Sequence, residues 1–336
     1  MMGSERFFLI HAKGTITQLF KREEAIAAVS SSKSSFVWFD FDDPDRAGLT
    51  PFAEALGLHP LAVDDCLDED QIPKIDDFPN HTFILFNTYT YAEKKLLIDE
   101  VDFFLGPNFL VSVHGHSAKD PEFFQKLEDF VKLELPDIKK GPDSLLHVIM
   151  DFIVDKKFLA IEGIQEEIED IEEQVLKDSA GFTPEKLIFL RRHLLSLRKS
   201  LFHEREVLVK ICRRDSPYIS EKSLYPFRDL YDHLTKFFEF VEVNREMITS
   251  LMEVYLSMIN NQMARSANDT NISMKRLTSI STVFMPLTLL AGIGGMSEWS
   301  MMCGPENWKI SYPIFCIAMG LIAMINYRIF RWLKWV

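Results

Sequence analysis

Two long apolar segments near the C-terminal end limit most strongly what this chain can fold into. The first runs from Leu277 to Ser297 and the second from Ile310 to Tyr327, and neither contains a charged residue. A helix rises about 1.5 Å per residue, so each segment is long enough to cross a hydrocarbon core of about 30 Å. Aromatic residues lie near the borders, as is typical of membrane interfaces. The sequence therefore predicts two transmembrane helices, at 277–297 and 310–330.

The charges around these segments predict how the chain is oriented in a membrane. Basic residues precede the first segment and follow the second: Lys275, Arg276, Arg328, Arg331 and Lys334. The connecting loop, 298–309, carries two glutamates and one lysine. By the positive-inside rule, both termini and the basic tail 331–336 are predicted to be cytoplasmic. We expect a multi-pass protein of the cell inner (plasma) membrane, with lipid as a partner.

Small and polar residues follow one face of the first predicted span at alternating spacings of three and four. This stripe comprises Asn271, Met274, Thr278, Ser281, Met285, Thr288, Gly292 and Gly295, with Leu277 at its border. One interpretation is close packing between membrane helices. The other is a pore wall that offers oxygen atoms to a hydrated ion. Two spans cannot enclose a pore alone, so the second interpretation requires a cyclic homo-oligomer.

The first part of the chain, 1–140, alternates strand-like and helical segments, which predicts a small α/β domain. The strand-like runs are 7–10, 36–41, 81–91, 101–106 and 109–113. The helical stretches lie near 22–29, 50–56, 60–67 and 121–135. Glycine and proline interrupt the chain at 139–144 and mark the predicted boundary.

Helices dominate from residue 141 onward. Within 141–223, an acidic helix with an apolar seam from Ile161 to Val175 precedes a basic helix with a seam from Leu187 to Leu201, which predicts an antiparallel hairpin. The acids of the first helix are interpreted as a solvated face and not as a metal site. No glycine occurs between Leu224 and Gly292, so one helix of about 70 residues can run through a stalk, 224–276, into the first span.

The charge balance favours some partners over others. The chain has 50 acidic and 37 basic residues, a net charge of -13. This acidic balance argues against a nucleic-acid-binding protein, because such proteins carry basic stripes. It favours a cation as the partner. His11, His81, His114 and His116 have no metal-binding spacing with acids and are interpreted as core or surface residues.

Several motifs, in order and spacing, resemble the CorA family of divalent-cation transporters. They are HPLAVDDCLDEDQIPKID at 59–76, VDFFLGPNFLVSVH at 101–114, YPFRDLYDH at 225–233 and MKRLTSISTVFMPLTLLAGIGGM at 274–296. The resemblance implies a homopentamer with a cytosolic α+β funnel, a long stalk helix lining the pore and a second span outside it. It also implies passive influx of Mg2+, with Co2+ and Ni2+ accepted by some members.

The resemblance also assigns roles to individual residues. The Gly-Met-Asn signature of the family corresponds to Gly295, Met296 and Ser297, so serine stands where the family has asparagine. These residues are the expected selectivity filter. Asp65 and Asp229, with Asp64 close by, match an intersubunit regulatory Mg2+ site, so Mg2+ is expected as both the transported and the regulatory ion.

Three functions remain open from the sequence. The first is a Mg2+-gated channel for divalent cations with no chemical step, which is not an enzyme. The second is a relative that transports Zn2+ or another transition metal. The third is a membrane scaffold that does not conduct ions.

Overall fold

The computed structural model describes residues 4–11, 14–31, 35–68, 71–115, 123–138, 141–214, 216–295 and 307–332. The chain divides into two compact units, Met1–Glu253 and Val254–Val336. The first unit contains a mixed sheet with helices packed against it. The second contains the apolar end of a long helix and one further helix.

The sheet of the first unit has the strand order β2-β1-β3-β7-β6-β5-β4. The strands are β1 (Ser4–His11), β2 (Thr15–Leu19), β3 (Ser35–Asp42), β4 (Lys74–Asp77), β5 (Thr82–Ala92), β6 (Lys95–Leu105) and β7 (Phe109–His114). Neighbouring strands are antiparallel except β3 and β7, which are parallel. The five strand-like runs of the sequence are therefore confirmed, and the two edge strands β2 and β4 are additions.

Small helices cover one face of this sheet. They are α1 (Arg22–Ser31), α2 (Arg46–Leu56) and α3 (Pro60–Cys66), while α4 (Phe123–Leu133) and α5 (Leu135–Ile138) precede the longer helices. Phe39, Phe41 and Phe52 are among the fully buried residues of the core between the sheet and α1–α3. Asp45 caps α2 by accepting a hydrogen bond from the Gly48 N–H at 2.7 Å, so this helix begins earlier than the sequence predicts.

The predicted helical hairpin consists of α6 (Pro142–Lys177) and α7 (Glu185–Cys212). Both predicted seams are buried, from Ile161 to Val175 and from Leu187 to Leu201. The acids of α6 lie mostly at exposed positions, as a solvated face requires. Helix α6 packs along β5, so the hairpin and the sheet belong to one unit. The boundaries at 140 and 223 stay predictions.

Two helices complete the chain. A short 3-10 turn, Glu221–Ser223, leads into α8 (Leu224–Gly294), which confirms the predicted helix of about 70 residues. The last helix is α9 (Trp308–Trp332). Asp143, at the start of α6, accepts hydrogen bonds from the Ser220 N–H at 2.9 Å and the Ser223 hydroxyl at 2.7 Å. It thereby fixes the turn from which α8 begins.

The histidines of the first unit lie in the core or at partly exposed positions. His114 is buried, which by itself lowers the pKa of its imidazole. The Asp40 carboxylate, 3.0 Å from Nε2, opposes this effect, and the pKa of His114 is raised overall. His81 is fully buried, with its ring centroid 5.0 Å from that of Phe78 and 5.6 Å from that of Phe104. His11 is partly exposed, and His116 lies outside the described residues.

Acidification should destabilise the protein through His81. Burial, and next the charge of His59, lowers the pKa of His81 from 6.5 to about 4. Between these pH values the unfolded state binds a proton that the folded state excludes, so the free energy of unfolding falls by up to about 3 kcal/mol as the pH drops. His81→Phe keeps an aromatic ring in the stack and should flatten the dependence of melting temperature on pH in this window. Parallel curves for both proteins would contradict this assignment.

Candidate functional site

The apolar ends of α8 and α9 have the length and composition of membrane spans. Each contains a hydrophobic 18-residue window, the first in the helix that ends at Gly294 and the second within Lys309–Trp332. Inside the chain, 6% of the first window and 0% of the second are buried. A core helix of a soluble protein would bury most of such a window, so this exposure favours contact with lipid or with further copies of the chain.

The predicted stripe lies on an open face of α8. Every described member is exposed: Asn271, Met274, Leu277, Thr278, Ser281, Met285, Thr288, Gly292 and Gly295. The partly or fully buried positions of the same stretch are Ser279, Val283, Pro286, Leu287, Leu290 and Gly294, again at helical spacing. The stripe therefore faces away from the contacts that α8 makes within its own unit and is available to line a surface between copies.

The geometry of the stripe leaves oxygen atoms on this surface. A shallow groove is lined by Ser281, Met285, Thr288 and Gly292 together with neighbouring apolar side chains. The Thr288 hydroxyl donates to the Phe284 carbonyl at 2.9 Å, so its hydrogen is used within the helix while its lone pairs remain acceptors. A surface of this kind can contact the water shell of a cation without replacing it.

Helix α8 ends where the predicted filter begins. The Gly295 N–H donates to the Ala291 carbonyl at 2.9 Å and closes the last turn after Gly294. Met296 and Ser297 lie outside the described residues, as do 298–306 of the predicted loop and 333–336 of the tail.

The predicted regulatory carboxylates lie on α3 and α8. Asp65 is partly exposed and pairs with Lys74 at 2.7 Å, while the neighbouring Asp64 pairs with Arg46. Asp229 has 75% of its side chain exposed and lies 3.6 Å from His233. Among the residues that the structure describes, no three His, Cys, Asp or Glu side chains are grouped closely enough to hold a metal. Within one chain, these three carboxylates therefore do not form a metal site by themselves.

Two further acids on α6 could not be assigned from the sequence, and one of them, Asp151, lies near Asp229. Asp151 and Asp155 lie one turn apart on α6, and burial, followed by the charge of Asp155, raises the pKa of Asp151. Asp229 raises this pKa further, while His233 opposes the shift. The available signal was a pair of acids in the otherwise apolar run VIMDFIVD at 148–155. Without the contact between α6 and α8, this pair could not be linked to Asp229.

Comparisons with known proteins agree with this arrangement. A family model described as CorA-like Mg2+ transporter protein matches residues 33–332. The cobalt/magnesium transport protein CorA of Thermotoga maritima is 36% identical over 287 residues, covering 84% of this chain and 78% of the relative. The protein of the same name from Methanocaldococcus jannaschii is 25% identical over 318 residues, covering 94% of this chain and 96% of the relative.

The fold has a close counterpart among solved structures. The complete structure of the CorA magnesium transporter from Methanocaldococcus jannaschii matches with a TM-score of 0.71 at 24% identity, covering 98% of both chains. This likeness confirms the predicted fold class, an α+β unit followed by a long helix and a second apolar helix. With two exposed apolar helices and a family match over most of its length, the chain is a membrane protein and belongs to the CorA-like Mg2+ transporter family.

Proposed function

We propose that five copies of this chain form a passive channel for divalent cations, with α8 lining the pore. The observation that carries this proposal is the exposed stripe from Asn271 to Gly292, which lies on α8 away from its partly buried positions. A cyclic oligomer brings the same stripe from each copy to the axis and encloses a continuous path. Family membership supports this arrangement over simple helix packing.

The chemistry of the stripe favours a hydrated, oxygen-preferring ion. Its amide, hydroxyl and backbone oxygens suit Mg2+, which loses its water reluctantly, with Co2+ and Ni2+ as further substrates. Zinc sites prefer thiolate and imidazole ligands, and the stripe has neither cysteine nor histidine, so the zinc alternative is not favoured. Ions move down their gradient without a chemical step, so we assign no enzymatic activity.

The orientation follows from the flanking charges. We place residues 1–276 and the tail 331–336 in the cytosol, the loop 298–309 on the other side, and the protein in the cell inner (plasma) membrane. Gly295, Met296 and Ser297 then form the filter at the outer end of the pore. Asp65, Asp229 and Asp64 bind regulatory Mg2+ between neighbouring subunits, which screens carboxylates that would otherwise repel one another.

Uptake by vesicles tests the proposed function directly. Purified full-length protein in liposomes should take up Mg2+ and Co2+ down their gradients without an added energy source. Uptake of Zn2+ without Mg2+ would favour the transition-metal alternative, and a complete lack of flux would favour the scaffold. Empty liposomes give the background leak.

Asp229→Ala and Asp65→Ala should each weaken inhibition by internal Mg2+. Each change removes a hard oxygen ligand from the proposed intersubunit site, so the ion stabilises the closed state less. The half-inhibitory Mg2+ concentration should rise about tenfold, within the usual range of coupling between sites. The measurement is current against internal Mg2+ concentration, with Asp170→Ala on the exposed face of α6 as the matched control. Curves that superimpose on wild type would remove these carboxylates from the sensor.

A further inference from the structure

Gly294, the last residue of α8, is a glycine that the backbone does not require. The described glycines with positive φ are Gly14, Gly57, Gly115 and Gly141, so Gly294 has a conformation that alanine can adopt. Alanine also favours a helix over glycine. The absence of a side chain at Gly294 therefore has a different cause.

That cause is the aromatic ring of Phe315 on α9. A Cβ built on Gly294 would lie 2.9 Å from Cζ, 3.2 Å from Cε2 and 3.3 Å from Cε1 of Phe315. The end of the ring thus fills the space that a side chain would need. Gly292 and Gly320, on the same two helices, have open space around the corresponding position.

The exposure of α9 supports a directed contact at this point. Phe315 is partly buried, whereas Ile314 and Ile317 on either side of it are 61% and 63% exposed. Phe315 is therefore turned toward α8, and Gly294 lets the two helices approach closely. In a membrane, such packing between small and large residues replaces the hydrophobic effect as the force that orients helices.

We propose that Phe315 is a positioning residue for the ion path, a role that rests on the proposed function. It contacts the last residue of α8, and the three filter residues Gly295, Met296 and Ser297 follow directly in the chain. A shift of Gly294 therefore displaces Gly295, the first residue of the proposed filter, whose N–H closes the last turn of α8. Binding sites lose strength when their support is displaced by about 1 Å, which is less than the rise of one helical residue.

A double-mutant cycle tests the contact in full-length protein. Gly294→Ala adds a methyl group against the ring, and Phe315→Ala removes the ring. Each single variant should raise the half-saturating external Mg2+ concentration about fivefold, so recovery in the double variant would correspond to a coupling within the range measured for contacting residues. The double variant should return to within about twofold of wild type, because the methyl group then occupies vacated space.

Gly320→Ala is the matched control, since its new methyl group meets open space and should change nothing. The maximal rate and the ratio of Co2+ to Mg2+ uptake show whether a variant alters the filter or only the amount of folded protein. Equal half-saturation for wild type and Gly294→Ala, or effects that multiply in the double variant, would overturn the positioning role.

Lack of uptake by wild type would contradict the proposed function and this role together. Melting temperatures in detergent would still reveal whether Gly294 and Phe315 are coupled.

Discussion

Replacing Ser297 by leucine should reduce Mg2+ uptake to the level of empty liposomes, whereas Ser297→Asn should retain or raise it. Ser297 follows Gly295 and Met296, and we propose that it takes the place of the family's asparagine. In a pentamer, five hydroxyl groups would contact the water shell of the ion, and asparagine would offer five carbonyl oxygens on longer side chains. Leucine offers no acceptor, so the water shell of an ion entering its ring would lose hydrogen bonds without compensation.

The comparison needs a control for the general effect of a new apolar side chain. Ser300→Leu makes the same change three residues later in the predicted loop and should leave uptake unchanged. Radioactive or fluorescent measurement of Mg2+ entry into liposomes gives the rate for each variant. If Ser297→Leu transports like wild type, Ser297 does not belong to the filter.

Glu204→Gln should destabilise the first unit by about 3–5 kcal/mol, because it leaves a buried lysine without its counter-charge. Lys157 of α6 and Glu204 of α7 are both 0% exposed and form an ion pair. The Asn87 N–H and the Tyr89 hydroxyl of β5 each donate to Glu204 at 3.1 Å. Lys157 Nζ also lies 3.7 Å from the centroid of the Phe86 ring. This network ties the hairpin to the sheet.

Thermal unfolding of the detergent-solubilised protein measures this effect, with an expected fall in melting temperature of about 10 °C. Glu173→Gln is the matched control, because it breaks an exposed pair with Lys177 on the same hairpin and should cause no measurable change. Lys157→Met combined with Glu204→Gln should recover much of the lost stability, since the buried charges are then removed and the glutamine carbonyl still accepts from Asn87 and Tyr89. A Glu204→Gln protein as stable as wild type would show that the pair does not hold the two elements together.

The membrane segments, the long helix and the hairpin seams could all be predicted from the sequence. Each depends on local properties: the length of an uncharged run, the absence of glycine, or apolar residues at helical spacing. The five longer strands were predicted for the same reason, because each of them contains a run of apolar residues. The family was also predicted, since its motifs recur in order along the chain, and the family match confirmed it.

Only the tertiary structure determined the contacts between residues that lie far apart in the sequence. Strands β2 and β4 are short and polar, and they form because their backbones pair with β1 and β5. Lys157 is separated from Glu204 by 47 residues, and Asp151 lies far along the chain from Asp229, so no local pattern could pair them. Phe315 likewise meets Gly294 across the connection between α8 and α9. Local sequence thus determined the elements and their apolar faces, whereas the partners of each face were decided by packing between distant segments.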